Sequence, residues 1–277
     1  MAATKLGQVI RESLGNIWRE ARIVCTKDPK PEKWVFLVGC YNSGTTLLSE
    51  LLSRHPSISA LPTEGHFITD QFVKDYDVGL PRMWVGNEKL FRLNELDAGP
   101  DAGRIKREWA MRLDLSKPVL LEKSPPNSAR TRWLQKNFEN AHFIAIVRNG
   151  YAVAEGISRK GDPKHLGYDW PIEDSIWQWR RGNEILFDDA KHLKHFHQIK
   201  YEDLASDPLL VLNEITRFLG IEDFPSFEPG KAFQIHEREE AVQDMNSDSI
   251  SQLSQEQIAK INTIAGQMMK DFGYPLL

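Results

Sequence analysis

The sequence predicts an α/β fold in three layers, in which helices cover both faces of one parallel β-sheet. The strands are indicated by three continuous apolar runs, Val35–Val38, Val119–Leu121 and Phe143–Val147. Such runs are typical of parallel strands, because these are buried on both faces and need no alternating polar residues. A helical pattern follows each run, as the crossover between parallel strands requires. The chain has 277 residues, 41% of them hydrophobic, which is enough for a single domain with a helical insertion.

The N-terminal part of the chain predicts a short helix that packs on this domain. Ile10, Leu14 and Ile17 fall on one helical face between charged residues. The segment Asp28–Pro31 contains two prolines and is typical of a hinge. We therefore divide the chain into a helical segment at residues 1–30 and an α/β domain at residues 31–277. Within the domain, residues 63–117 carry the turn-forming run Asp97–Gly103 between two predicted strands, and we interpret them as a lid-like insertion.

The remaining elements follow from the same patterns. A second short strand could lie at Ser57–Leu61, between two prolines, and another strand is predicted at Phe196–Tyr201. Apolar residues at helical spacing predict further helices at Arg130–Asn137, Asp174–Lys194, Leu209–Leu219 and Ser254–Asp271.

Charge and cysteine content argue against several classes of protein. The formal net charge of −4 gives no global positive field for nucleic acid, so any anion must be bound locally. Cys25 and Cys40 provide neither a disulfide framework nor a metal cluster, and free thiols predict a reducing, cytoplasmic location. Residues Met1–Arg22 lack the apolar core of a signal peptide, and no apolar run is long enough to span a membrane.

The loop after the first strand has the form of a phosphate-binding loop. Gly39 and Gly44 stand near its ends, and Leu47–Leu52 begins an amphipathic helix behind it. A strand, a glycine loop and a helix start present backbone N–H groups to a phosphate. The spacing from Gly39 to Thr46 is that of a P-loop, but Thr45 occupies the position of the P-loop lysine. Since a hydroxyl cannot reach the β- and γ-phosphates, this P-loop-like unit favours an anionic nucleotide without ordinary ATP chemistry.

Two sets of residues are therefore candidate phosphate ligands. Ser43, Gly44, Thr45 and Thr46 supply hydroxyl and N–H groups at the helix start, although an ordinary turn with a Ser/Thr cap is the alternative. Arg148 directly follows a buried strand, at the edge of a parallel sheet where ligands bind. Its guanidinium could hold a second phosphate by a forked contact, or it could be a surface arginine in an ion pair.

These motifs together resemble the sulfotransferases that use 3′-phosphoadenosine 5′-phosphosulfate (PAPS), and the resemblance runs from about Lys33 to Tyr274. The phosphosulfate loop of that family, Gly-x-x-Arg/Lys-Ser-Gly-Thr-Thr, is similar to residues 39–46. The segment Arg148–Val153 resembles the 3′-phosphate motif of the family. Glu122–Asn127 resembles a segment of its bacterial and tyrosylprotein-like branch, and the stretch that begins at Tyr201 resembles one that packs near the adenine.

The resemblance implies in-line transfer of a sulfuryl group from PAPS to an acceptor hydroxyl, or less readily an amine, with release of 3′-phosphoadenosine 5′-phosphate (PAP). Glu64 matches the catalytic-base glutamate of the tyrosylprotein-like branch. His66 is the rival base, because its ordinary pKa lies nearer neutrality. Lys123 is expected to stabilise the leaving phosphate or the sulfuryl oxygens.

The same resemblance implies the nucleotide ligands. Asn42, Ser43, Gly44, Thr45 and Thr46 would hold the 5′-phosphosulfate, Arg148 and Ser158 the 3′-phosphate, and Tyr201 would lie against the adenine. The chemistry requires no metal, and we expect no metal site: the histidines at 192, 195 and 197 straddle a predicted helix end and would not converge on one ion.

Two positions depart from the pattern of the family. Asn42 stands where an Arg or Lys of the loop contacts the transferring group, and it brings no charge. Lys123 is the cation that we expect to compensate. Gly156 stands where the family has a serine for the 3′-phosphate, and Ser158 and Arg159 are the nearby substitutes.

These departures leave one alternative function open, a non-catalytic nucleotide-binding or interaction protein. A phosphotransferase is a less favoured alternative, because the P-loop lysine and an evident Mg²⁺-binding aspartate are missing. The acceptor is expected to be a small molecule or a glycan, bound with help from residues 63–117, and not a nucleic acid. Acceptor pockets are built from loops, which vary freely on a shared scaffold, so the sequence does not identify the acceptor or the oligomeric state.

Overall fold

The computed structural model describes residues 15–161, 170–225, 233–235, 238–240 and 243–277. Five strands form its main sheet: β1 (Lys33–Gly39), β2 (Ile58–Ala60), β3 (Val119–Lys123), β4 (Ala141–Val147) and β5 (Phe196–Lys200). All neighbours are parallel, in the order β2-β3-β1-β4-β5. A separate antiparallel pair comprises β6 (Phe233–Ile235) and β7 (Arg238–Glu240).

Helices connect the strands and cover the sheet. The first, α1, includes residues 15–25, whereas residues 1–14 of the predicted N-terminal segment lie outside the described ranges. The others are α2 (Thr45–Leu52), α3 (Gly65–Ile68), α4 (Glu88–Phe91), α5 (Ala102–Ala110), α6 (Thr131–Asn137), α7 (Gly150–Lys160), α8 (Ile172–Ala190), α9 (Tyr201–Ser206), α10 (Pro208–Leu219), α11 (Asn246–Ile250) and α12 (Gln255–Asp271).

Strand β1 lies at the centre of the sheet and supplies both of its faces. Val35 and Leu37 pack with Leu48 of α2 on one side, while Trp34 and Phe36 pack with aromatic residues on the other side. Because successive side chains of a strand point to opposite faces, one continuous apolar run serves two hydrophobic cores. The predicted three-layer α/β fold is therefore confirmed.

The segment between β2 and β3 corresponds to the predicted insertion at residues 63–117. Its helix α5 packs on the sheet through Trp109, whose ring centroid lies 6.1 Å from that of Trp34 and 6.4 Å from that of Phe36. Asp101 caps α5 by accepting a hydrogen bond from the Arg104 N–H. The insertion thus contributes to the core. Its role as a lid or as an acceptor-binding segment stays a prediction.

Parallel strands bring their carboxyl ends to one edge of the sheet. Gly39, Lys123, Arg148 and Tyr201 stand at or just after the ends of four of these strands. The order of the strands therefore places the loop after β1 between the segments that follow β3 and β4, as in other open α/β sheets with a ligand at this edge.

Candidate functional site

A cavity of about 490 Å³ opens at the carboxyl edge of the sheet. It is lined by the loop after β1 and by segments that follow the other strands. Eight of the residues predicted from the sequence line it: Asn42, Gly44, Thr45, Thr46, Glu64, Lys123, Arg148 and Tyr201. Ser43, His66 and Ser158 are not among the lining residues.

The loop after β1 requires glycine at Gly44. Its φ is +97°, and a Cβ there would lie 2.6 Å from Cδ2 of Tyr201, so a side chain would be strained and would also collide. Ser43 is buried and its Oγ donates a hydrogen bond of 2.6 Å to the carbonyl oxygen of Cys40. Ser43 thus shapes the loop from within. Cys40 is also buried, and burial raises the pKa of its thiol to about 12.

Lys123 joins this loop to a carboxylate of the insertion. Its Nζ donates to Oγ1 of Thr46 at 3.1 Å and to Oε1 of Glu64 at 2.9 Å. The Lys123 side chain is 10% exposed and that of Glu64 is 20% exposed. A cation, a carboxylate and a helix start therefore meet at the wall of one cavity, where charged groups act more strongly than in open water.

Glu64 and its rival His66 are neighbours, with Nδ1 of His66 3.6 Å from Oε2 of Glu64, but of the two it is Glu64 that lines the cavity. The His66 side chain is 1% exposed, and its Nδ1 lies 3.0 Å from Oγ of Ser124. Burial, together with the charges of Arg130 and Lys123, lowers the pKa of His66 to about 3. The imidazole is therefore neutral near pH 7 and lies behind the cavity wall, whereas Glu64 faces the cavity.

A fully buried carboxylate, Glu122, supports the chain around Glu64. Its Oε1 accepts a hydrogen bond of 2.9 Å from the Gly65 N–H, and its carboxylate also accepts from the Ser124 hydroxyl and the Asn127 amide. Burial raises the pKa of Glu122 to about 7. Sequence reasoning used this segment only for Lys123 and missed the positioning by Glu122, although the polar residues around it were the available signal.

Arg148 is nine-tenths buried beside the loop. Its Nη1 donates to the carbonyl oxygen of Asn42 at 2.9 Å, and its Nε donates to Oδ1 of Asn246 at 2.7 Å. The guanidinium lies 4.1 Å from the centroid of the Tyr201 ring. Nη2 of Arg148 has no hydrogen-bond partner among the described residues. A buried, unpaired donor beside a cavity is a position at which an anionic ligand would be stabilised.

Ser158 does not lie where the sequence interpretation needed it. Its hydroxyl donates a hydrogen bond to the carbonyl oxygen of Trp170. Two residues along a helix turn a side chain by about 200°, so Ser158 cannot occupy the direction of Gly156. A Cβ at Gly156 would lie 3.2 Å from Cγ of Asn42, so this position faces the loop.

Two cations of the cavity were missed by sequence reasoning. Arg82, in the insertion, donates from Nη1 to Oδ1 of Asn42 at 3.2 Å, and Lys160, at the end of α7, also lines the cavity. No motif connects either residue to the loop after β1. Only the folded chain brings them together.

Among the residues that the structure describes, no group of three or more His, Cys, Asp and Glu side chains is placed to hold a metal ion. Across the same residues, none of the helices combines the length and the apolarity needed to cross a membrane.

Comparison with known proteins identifies the family. Residues 33–226 match the model of the sulfotransferase family, so the chain belongs to that family. A putative protein-tyrosine sulfotransferase of Caenorhabditis briggsae is 24% identical over 193 residues, which cover 69% of this chain and 66% of the relative. Protein-tyrosine sulfotransferase A of Caenorhabditis elegans is 25% identical over 200 residues, which cover 68% and 50%. The chain thus spans between half and two thirds of the length of these relatives.

Solved structures show the same fold. The sulfotransferase domain of the Synechococcus PCC 7002 olefin synthase is 22% identical, with a TM-score of 0.57 and coverage of 91% of this chain and 98% of that domain. Mouse sulfotransferase SULT7A1, determined in complex with PAP, is 17% identical, with a TM-score of 0.50 and coverage of 88% and 86%. The resemblance inferred from the motifs is therefore confirmed at the level of family and fold.

Proposed function

We propose that this protein transfers a sulfuryl group from PAPS to a hydroxyl of an acceptor molecule. Membership of the sulfotransferase family supports this proposal. The observation that carries it is the position of Lys123, whose Nζ lies 3.1 Å from Oγ1 of Thr46 and 2.9 Å from Oε1 of Glu64. One cation thus links the loop that would hold the phosphosulfate to a carboxylate that can accept a proton.

The reaction requires a base and a stabilised leaving group. The Glu64 carboxylate would accept the proton of the acceptor hydroxyl while the oxygen of that hydroxyl attacks the sulfur of PAPS. The bond from sulfur to the 5′-phosphate oxygen then breaks, and PAP leaves with the electron pair. Lys123 and the N–H groups at the start of α2 would stabilise the charge that develops on that oxygen. As in phosphoryl transfer, positioning and electrostatics supply most of the catalysis.

The nucleotide would bind along the carboxyl edge of the sheet. Gly44, Thr45 and Thr46 would bind the 5′ end, and Arg148 the 3′-phosphate, through its unpaired Nη2. Tyr201, whose ring packs on Arg148, would contact the adenine. Lys160 lines the same cavity and would offer the 3′-phosphate a positive charge in place of the hydroxyl contact expected of Ser158.

We assign the base to Glu64 and not to His66. A base must reach the acceptor proton, and Glu64 lines the cavity, whereas His66 is buried behind it. A histidine with a pKa of about 3 also has little affinity for a proton near neutral pH. His66 supports the site through its contact with Ser124.

The acceptor that we propose is a hydroxyl of a small molecule or a glycan. A tyrosine phenol is the second candidate, because the relatives are named protein-tyrosine sulfotransferases. Transfer of labelled sulfate from PAPS to panels of alcohols, oligosaccharides and tyrosine peptides distinguishes the two. We also propose a reducing, cytoplasmic location, for which the free thiols of Cys25 and Cys40 are the support, and which fractionation of the source cells tests.

Binding and catalysis can be tested separately. Calorimetric titration should show binding of PAP to the wild type, weaker binding to Arg148→Ala, and no binding of ATP in either case. Glu64→Gln should retain PAP binding and lose about 10²- to 10⁴-fold in sulfate transfer, as expected when a general base is removed. Binding of PAP without transfer to any acceptor would favour a non-catalytic protein. Binding of ATP with Mg²⁺ would favour a phosphotransferase.

A further inference from the structure

Arg82 contacts the loop residue that stands where the family pattern has an Arg or Lys and this chain has an uncharged side chain. That residue is Asn42, and Nη1 of Arg82 donates to its Oδ1 at 3.2 Å. Arg82 and Asn42 both line the cavity. Lys123, the cation that the sequence interpretation expected to compensate, contacts Thr46 and Glu64.

We propose that Arg82 supplies the positive charge that the phosphosulfate loop lacks, and that its guanidinium binds an anionic oxygen at the 5′ end of the nucleotide. The inference rests on the proposed function, because it assigns a further ligand of the same co-substrate. In this chain the cation would come from the insertion between β2 and β3, forty residues after Asn42. Its planar fork suits phosphate and sulfuryl oxygens.

The backbone at Arg82 is fixed to the loop by a shared carboxylate. Oδ2 of Asp75 accepts a hydrogen bond of 2.7 Å from the Arg82 N–H and one of 2.8 Å from the hydroxyl of Tyr41. Tyr41 is the residue before Asn42. The indole N–H of Trp170 also donates to the carbonyl oxygen of Pro81 at 2.8 Å. Arg82 is therefore positioned relative to the loop by contacts on both sides.

The second departure from the family pattern gives Asn42 its room. A Cβ at Gly156 would lie 3.2 Å from Cγ and 3.3 Å from Cβ of Asn42. Such contacts are tighter than ordinary packing, so with a larger residue at 156 the Asn42 side chain would have to shift by a few tenths of an ångström. Asn42 has a φ of 59°, a conformation that asparagine tolerates better than most residues. Asn42 and Gly156, the two positions that depart from the family pattern, thus face each other in the structure.

The charges around Arg82 favour an anion. Arg148 and Lys160 line the same cavity, and desolvation, followed by the charges of Arg82, Arg159 and Arg148, lowers the pKa of Lys160, although the residue as a whole is exposed. Three carboxylates line this cavity. Asp75 accepts hydrogen bonds from Tyr41 and from the backbone N–H of Arg82, Glu64 pairs with Lys123, and the third is Glu50. Binding of an anion would relieve the repulsion among these cations.

The test measures which end of the nucleotide Arg82 contacts. Calorimetry with PAP and with adenosine 3′-monophosphate, which lacks the 5′ group, is run on the wild type and on Arg82→Gln. Loss of a charge-assisted hydrogen bond should weaken PAP about tenfold to hundredfold, with no change for adenosine 3′-monophosphate. Asn42→Lys in the Arg82→Gln background should restore PAP affinity, because it returns the charge to the loop.

The controls separate this proposal from the proposed function. Arg92→Gln, which removes an exposed arginine outside this cavity that is paired with Glu88, should leave both affinities unchanged. Unchanged PAP affinity in Arg82→Gln, or equal weakening of both ligands, would overturn the role of Arg82 and leave the proposed function standing. Absence of PAP binding by the wild type would overturn both.

A measurement on the wild type covers the case in which Arg82→Gln does not fold. In a crystal structure with PAP, a guanidinium nitrogen of Arg82 should lie about 2.7–3.2 Å from an oxygen of the 5′-phosphate. A separation beyond about 4 Å would contradict the proposal.

Discussion

Two buried ionisable residues behind the cavity wall, His66 and Glu122, have pKa values that are shifted in opposite directions. Burial lowers the pKa of His66 to about 3 and raises that of Glu122 to about 7, so both side chains favour their neutral forms. Both are bound to the Ser124 hydroxyl. At the scale of single residues, burial therefore disfavours charge on these two side chains, which lie behind the wall of a cavity that Glu64 and Lys123 line.

The shifted pKa of Glu122 predicts a pH dependence of stability. Its pKa in the folded protein lies above the ordinary value of 4.5, so its contribution to stability is fully present below pH 4.5 and is lost as the pH rises through about 7. Because one unit corresponds to about 1.4 kcal/mol, the loss amounts to a few kcal/mol. His66 acts in the opposite sense: its folded pKa is depressed, so stability is lost as the pH falls from 6.5 towards 3.

Urea unfolding of the wild type and of Glu122→Gln between pH 4.5 and 8 isolates the first effect. Any packing or hydrogen-bond cost of the glutamine is independent of pH, whereas burial of the charge weakens only the wild type. The stability advantage of the wild type should therefore shrink as the pH rises. A difference that stays constant over this range would contradict the raised pKa of Glu122.

At the scale of elements, the loop after β1 depends on glycine. Gly44→Ala should lose PAP binding and destabilise the protein, because the added Cβ meets the Tyr201 ring at 2.6 Å and the φ of +97° is strained for alanine. Thermal unfolding and calorimetry with PAP measure the two effects.

Gly220→Ala is the matched control for backbone strain. Gly220 ends α10 with a φ of +60°, and a Cβ there meets nothing within 4 Å. The Gly220→Ala substitution should lower the free energy of unfolding by about 1 kcal/mol and leave PAP affinity unchanged. Equal behaviour of the two variants would mean that strain alone, and not the contact with Tyr201, makes glycine necessary at position 44.

Strands and contiguous loop motifs could be predicted from the sequence, whereas contacts between distant segments could not. The apolar runs identified β1, β3 and β4, because burial on both faces leaves a strong local signal. The three-residue strand β2 lies within the segment that two flanking prolines had marked. The loop residues and Lys123 were recognisable from contiguous motifs. The contact from Arg82 to Asn42 joins segments forty residues apart, and irregular chain has no periodicity from which such a contact could be inferred.

At the scale of the whole molecule, the cavity lies where most of the sheet ends. A ligand there contacts segments that follow β1, β2, β3, β4 and β5, so its binding should stabilise the entire domain. At about 100 times its Kd, PAP should raise the free energy of unfolding by about 2.7 kcal/mol. Differential scanning calorimetry should record an increase in Tm, and the increase should be smaller for Arg148→Ala at the same PAP concentration. An unchanged Tm at saturating PAP would contradict this coupling.

Burial of the Cys40 thiol has a practical consequence for chemical labelling. Thiol reagents attack the thiolate, and with a pKa of about 12 only about one Cys40 side chain in 10⁵ is ionised at pH 7. Cys25 is exposed, in the last turn of α1. Iodoacetamide should therefore modify the native protein once, at Cys25, as peptide mass spectrometry would show. A fluorophore could then be attached at a single point, and the nucleotide loop would be insensitive to mild oxidants.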